Sequence, residues 1–230
     1  VIEGAPPRWG RWTIGQTALV FLAGFVGATI GVLLAGVDPT DIEVIGFGLG
    51  GQALAMILAL VLLSRSRGSG DVLADFGIRL RPRDSWTIAL GLGLQIASIL
   101  IVATVAAVFG VEPTEQEVVG LVENSGDGPA RLLAILLIAV ALPILEEIVF
   151  RGMLLDAMRA TWSDRTAVVA GAAVFALIHL LDPAAVFAIP GLFLLGLVAG
   201  YFAVKDGHLS RAILTHAGVN LTGALLIFAG

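Results

Sequence analysis

Charge is what this chain has least of. Only 13% of its 230 residues are Asp, Glu, Lys or Arg, about half of what a soluble domain ordinarily carries. A water-facing surface of normal composition is excluded. Cysteine is absent altogether, which removes disulfide frameworks, zinc knuckles, iron–sulfur ligation and thiol catalysis. The net charge of −5 is small and scattered, so no nucleic-acid partner is expected. What is present is apolar, with 58% hydrophobic residues and a mean hydropathy of +0.99. That is the composition of a polytopic membrane protein, with membrane lipid as its surroundings.

A spanning helix takes about 20 residues. Turn signals divide the chain into seven apolar segments, near 13–37, 43–64, 86–110, 131–155, 166–181, 184–204 and 209–229. The expected fold is all-α, a membrane helix bundle of about seven transmembrane helices, with eight also fitting the length. Lys and Arg collect on the cytoplasmic side of membrane proteins. Arg8, Arg11, five arginines between 65 and 83, Arg151, Arg159, Arg165, Lys205 and Arg211 all fall on one side of a seven-span arrangement. The acidic loops, including the stretch from Glu112 to Gly128, fall on the other. The N-terminus is therefore expected in the cytoplasm and the C-terminus outside. The first apolar run exceeds a signal-peptide core and lacks a small-x-small cleavage site, so it reads as a span. A start at Val1 leaves room for residues upstream. The strong charge asymmetry and the glycine- and alanine-rich spans suit a prokaryotic inner (plasma) membrane.

Glycine is abundant, 29 residues concentrated in the spans. Small residues let membrane helices approach closely, and Gly196 with Gly200 forms a small-x-x-x-small pair read as packing. No internal repeat is visible, which weakens a transporter built from inverted repeats.

Six polar side chains interrupt the last four spans: Glu146, Glu147, Arg151, His179, His216 and Asn220. Ionisable groups inside a bilayer cost several kcal/mol and mark functional sites by default. On a helix Glu147 and Arg151 are four apart and can neutralise each other. Glu146 is rotated by about 100°, which divides the carboxylates into a structural one and a free one. Pro143, one turn earlier, removes a backbone donor and opens the helix beside them. His216 and Asn220 are again four apart and share a face, whereas His208 reads as ordinary surface. At 1.5 Å per residue His216 lies about 10 Å from its basic end. Glu146 is similarly deep if its helix runs to about Met153, and His179 is nearer the midplane. One polar chamber is more economical than three separate accidents.

A buried carboxylate, two imidazoles and an amide point to amide-bond hydrolysis. Desolvation moves carboxylate and imidazole toward the range useful for general base and acid work. Asn220 and a histidine are candidate donors to a developing oxyanion. Two histidines and a carboxylate would equally hold a divalent metal such as zinc with an open position, so the cofactor is either such a metal or none. Other proteolytic designs find no support. His-Glu-x-x-His is absent, Gly68-Ser69-Gly70-Asp71 lies in the arginine-rich loop and reads as a turn, and no span serine has a Gly-x-Ser-Gly setting.

The strings EEIVFRG, FALIH and HAGVN resemble, in order and spacing, the Glu-Glu-x-x-x-Arg, Phe-x-x-x-His and His-x-x-x-Asn motifs of the CAAX protease and bacteriocin-processing (CPBP) family. This is the type II CAAX prenyl endopeptidase or abortive-infection family of membrane proteases. The resemblance covers roughly residues 130–225. It implies a catalytic core over 130–230, preceded by membrane helices of unassigned role over 1–129. It also implies that Glu146 and His179 activate water, that His216 and Asn220 hold the oxyanion, and that Glu147 with Arg151 fixes the helix. Members have been described as metalloproteases, which keeps the metal open. The implied activity is hydrolysis of a peptide bond in a membrane-associated or lipidated protein or peptide. The alternative is a non-catalytic scaffold or chaperone that binds a partner membrane protein through the same chamber.

Overall fold

The structure, a computed structural model, describes residues 12–36, 40, 43–113 and 128–229. Residues 1–11, 37–39, 41–42, 114–127 and 230, which include Arg8, Arg11 and most of the expected acidic-loop residues, lie outside the described residues. All regular structure among the described residues is helical. Six helices are long and apolar enough to cross a membrane: α1 (Ile14–Ala35), α2 (Val44–Arg67), α3 (Pro82–Phe109), α4 (Leu132–Arg159), α5 (Asp164–Leu181) and α6 (Pro183–Asp206). The seventh expected segment forms α7 (Ser210–Ala229). The protein is an integral membrane helix bundle. Its exterior fits that solvent, since Leu33, Leu34, Val108 and Phe109 are each more than 70% exposed, a pattern that would drive aggregation in water.

The helix starts follow local chemistry. Thr13 and Gln16 form a reciprocal cap before α1, and the Ser163 hydroxyl accepts from the Thr166 amide at the head of α5, each satisfying orphan N–H groups. Asp71 caps the one-turn helix Val72–Asp75 by accepting from the Ala74 amide, so the Gly68–Asp71 string is indeed a turn.

Connections at one end of the bundle interlock. The Trp12 amide donates to Asp156 Oδ2 at 3.0 Å, and the Trp12 ring stacks on Phe76 at 4.7 Å. The Leu209 amide donates to the Gly77 carbonyl at 2.9 Å, and the Arg81 amide donates to Ser210 Oγ at 3.0 Å. The start of α1, the segment after α2, the end of α4 and the start of α7 thus share one end, as an alternating path requires. Asp75, buried there, accepts from Ser64 Oγ at 2.6 Å and from the amide and hydroxyl of Ser69. His208 belongs to the same packing. It was expected at the surface but is 5% exposed, with Nδ1 accepting from the Ser210 amide, because the Gly77–Leu209 bond draws the loop inward.

Close approach of small residues sets the helix pairs. A Cβ at Gly27 of α1 would strike the Gly51 carbonyl of α2, and one at Gly196 of α6 would come within 2.8 Å of Ala172 of α5. Without a hydrophobic drive between helices in lipid, such contact supplies van der Waals attraction directly. Gly196 and Gly200 therefore pack, as the spacing suggests, against Ala172 and Val168.

Candidate active site

The site is organised by irregularities in α4. This helix runs to Arg159 rather than to the expected region of 153–155, and it contains two stretches of wide, i to i+5 turns, Leu136–Ala141 and Ile148–Leu154. Such turns are rare and recur at functional sites. Between them lies the regular turn Leu142–Glu147, with Pro143 near its start. The first wide stretch has a local cause. Pro143 cannot donate, and the helix before it has slipped so that Leu142 N–H reaches back five residues to the Leu137 carbonyl.

The two adjacent glutamates part as their rotation demands. Glu147 is fully buried, and its Oε1 accepts from Arg151 Nη1 at 3.0 Å and contacts His216 Nδ1 at 2.8 Å. Arg151 is held from its other face by Phe175, whose ring centre lies 4.3 Å from the guanidinium carbon, a cation–π contact strengthened by desolvation. Phe175 also meets Phe150, His179 and His216 edge to face at 5.1, 5.0 and 5.7 Å. It is the apolar hub on which the polar groups of α4, α5 and α7 are assembled. A buried charge pair of this kind survives because each charge has a partner, and removing either strands the other.

Glu146 faces a different way. Its side chain is 28% exposed, with Oε2 at 3.6 Å from His216 Nε2. With His179 it lines a cavity of about 140 Å³ between α1, α2, α4 and α5, completed by Phe21, Gln52, Met56 and neighbouring apolar side chains. His179 stands where α5 tightens into its last 3₁₀ turn. Its Nδ1 lies 2.8 Å from the Phe175 carbonyl, which can only accept, so Nδ1 carries a proton and, in the neutral imidazole, Nε2 presents a lone pair. Beside this cavity runs an apolar furrow of about 230 Å³. Ile14, Ala18 and Phe21 of α1 form one wall, Val174 and Ile178 of α5 the other, and Phe150 lies in its floor. Phe21, Val149, Phe150 and Ile178 border both spaces.

Asn220 is occupied elsewhere. Its Nδ2 donates to the Ile138 carbonyl at 3.0 Å. In the register set by Leu142 and Leu137 the next donor, due to Ile138, is the N–H of residue 143, which proline lacks. The side chain of α7 supplies what the backbone of α4 cannot. Neither His216 nor Asn220 lines the cavity that holds Glu146 and His179.

The structure thus brings Glu147, Arg151 and His216 into one buried cluster, sets Glu146 at its edge, and joins Glu146 to His179 across the cavity. The donor set of a metal does not form: among the described residues no three His, Asp or Glu side chains converge as ligands. His179 Nδ1 and His216 Nδ1 are already hydrogen-bonded within the protein. Sequence reasoning missed Gln52, the single amide in α2, whose polarity amid apolar neighbours was the available signal. It also missed the pairing of Asn220 with Ile138, for which sequence holds no signal beyond Pro143.

Residues 128–222 match the model of the family described as Type II CAAX prenyl endopeptidase Rce1-like. No curated protein and no solved structure matches the chain. The matched segment runs from the start of α4 to beyond Asn220, and therefore contains all six polar residues.

Proposed function

We propose, from the Rce1-like character of residues 128–222, that the protein is an intramembrane endopeptidase acting on a membrane-associated or lipidated substrate. The observation that carries this reading is the shared cavity of Glu146 and His179. Both present proton acceptors to it, which is the arrangement that general-base activation of water needs. Water adds its oxygen to the scissile carbonyl carbon while one proton passes to the Glu146 and His179 pair. The C–N bond then breaks, the proton is delivered to the leaving nitrogen, and a carboxylic acid and an amine result. Glu147, Arg151 and His216 keep the Glu146 helix in place. His216, at 3.6 Å from Glu146, is also the cation-capable group nearest to it on α7.

The oxyanion role that the resemblance implies for His216 and Asn220 would require both to turn toward the cavity and Asn220 to release Ile138. The apolar furrow between α1 and α5 offers a path from the lipid for an apolar chain. The interlocked end that carries Arg79, Arg81, Arg83 and Arg159 is assigned to the cytoplasm on the positive-inside rule.

The test is cleavage in liposomes of a quenched fluorescent peptide ending in S-farnesyl-Cys-Val-Ile-Ala. Wild type is expected to release the fluorophore, and Glu146→Gln to lose about 10²-fold or more. Equal turnover by the two would refute the assignment.

A further inference from the structure

We propose that Gln52 binds the substrate's peptide group, its amide N–H donating to the carbonyl that Glu146 and His179 attack; the inference rests on the endopeptidase reading. Four observations lead to it.

Gln52 lies about 12 Å along α2 from Val44 and about 22 Å from Arg67, so it reaches neither helix end, and the polar surroundings open to its half-buried side chain are those of the cavity. An amide at such depth costs free energy unless it is hydrogen-bonded. Among the described residues Gln52 has no hydrogen-bond partner. Asn220, another span amide, is by contrast bound to Ile138.

Second, Gln52 lines the cavity together with Glu146 and His179. Third, the chemistry of that cavity is one-sided. A carboxylate and the bare Nε2 of His179 are acceptors, and the remaining lining is apolar. Among the described residues Gln52 is the cavity's only carboxamide, and it provides both a donor and an acceptor. That is the complement of a peptide unit, whose carbonyl accepts and whose N–H donates. The donors expected from α7 do not line this space. Fourth, α1 is shaped around it. Gly24 faces this part of α2, where a Cβ would come within 2.7 Å of Met56 and 3.5 Å of Gln52 Cγ. The absence of a side chain at 24 leaves room for Met56, the neighbour of Gln52 in the cavity wall, while Gln52 Cγ stays at ordinary contact distance.

The helices before the matched segment thus contribute chemistry. A donor on α2, lining the cavity of the water-activating pair, orients the carbonyl and strengthens its hydrogen bond as charge develops on oxygen.

The experiment uses the full chain in liposomes and the same farnesylated peptide. Gln52→Met, of similar shape but without the amide, is expected to lower kcat/KM by about 10²-fold. The unfolding midpoint should hold or rise, because no protein hydrogen bond is lost and an unpaired amide is removed. Gln52→Asn should recover part of the loss. Turnover of Gln52→Met within about twofold of wild type overturns the proposal, as does a fall in activity matched by a fall in stability.

The chain has no cysteine, so Gln52→Cys introduces a unique thiol. Combined with Glu146→Gln, peptide binding should slow its alkylation several-fold. Unchanged alkylation with peptide bound, followed by anisotropy, overturns the proposal. Failure of the endopeptidase reading is distinct: wild type and Glu146→Gln would then cleave alike, whatever residue 52 does.

Discussion

Asn220 and Pro143 lie on different helices, 77 positions apart in sequence, yet the structure makes them partners through a third group, the Ile138 carbonyl. Breaking that arrangement has a calculable cost. Replacing Asn220 with Leu keeps the volume and removes the Nδ2 donor that sits 3.0 Å from Ile138 O. Interhelical hydrogen bonds in membranes average about 0.6 kcal/mol and reach about 1.7. This one belongs near the upper end, because the acceptor has no backbone donor to fall back on while residue 143 is proline. We expect a loss of about 1.5 kcal/mol. In a Pro143→Ala background the same change should cost about 0.5 kcal/mol or less, by the principle that a satisfied acceptor is not expensive to leave alone. With alanine at 143, Ile138 gains a backbone donor whether the helix keeps its wide register, through residue 143, or tightens, through Leu142. The coupling in the double-mutant cycle is therefore about 1 kcal/mol.

The assay is reversible unfolding in mixed micelles titrated with sodium dodecyl sulfate, run on wild type, both single variants and the double variant. Additive losses, with coupling under about 0.3 kcal/mol, would refute the reasoning. Cleavage measured on the same four proteins separates structure from chemistry. If Asn220 only clamps α7 to α4, Pro143→Ala restores activity to Asn220→Leu along with stability. If Asn220 also reaches the oxyanion, stability returns and activity does not.

The buried ion pair makes an asymmetric prediction. Glu147→Gln or Arg151→Met alone should destabilise by about 3–5 kcal/mol, whereas Glu147→Leu with Arg151→Met together should cost far less, as read by thermal unfolding in detergent. Phe175→Ala removes the hub that touches Arg151, His179 and His216. It should cost about 3 kcal/mol and reduce cleavage at the same time, whereas Phe175→Leu should retain most of the stability. Gly27→Leu would force α1 from the Gly51 carbonyl. Its expected signature is faster trypsin cleavage in the 65–83 loop, measured against Gly93→Ser, where a Cβ meets nothing within 4 Å. Asp75→Ala leaves Ser64 Oγ and the Ser69 amide without their acceptor and should cost about 1–3 kcal/mol in the same unfolding assay.

The helices were legible because a bilayer demands the same thing of every span, a run of about 20 apolar residues, and the runs in this sequence became helices with ends displaced by a few residues. Depth along those helices was less legible. Glu146 was placed from an expected end near Met153, but α4 continues to Arg159, since Asp156 and its neighbours are retained in the helix by contacts such as the Trp12 amide, which lies 144 positions away. The pairing of Glu147 with Arg151 followed from spacing alone, a local rule that the wide turns of α4 left intact. The placement of Asn220 did not follow. Spacing put it on the face of His216, but its partner was decided by a register slip in another helix, and the consequence of Pro143 for Ile138 exists only once α7 lies alongside. Gln52 shows the same limit from the other direction. Its polarity was visible, yet nothing in α2 itself says that α4 and α5 bring a carboxylate and an imidazole to the same cavity. Motifs reveal chemistry where the reacting residues repeat a local pattern. A residue whose role is to face that chemistry from a separate helix becomes visible only when packing brings the helices together, and for that reason the N-terminal helices carry a testable role that their sequence does not state.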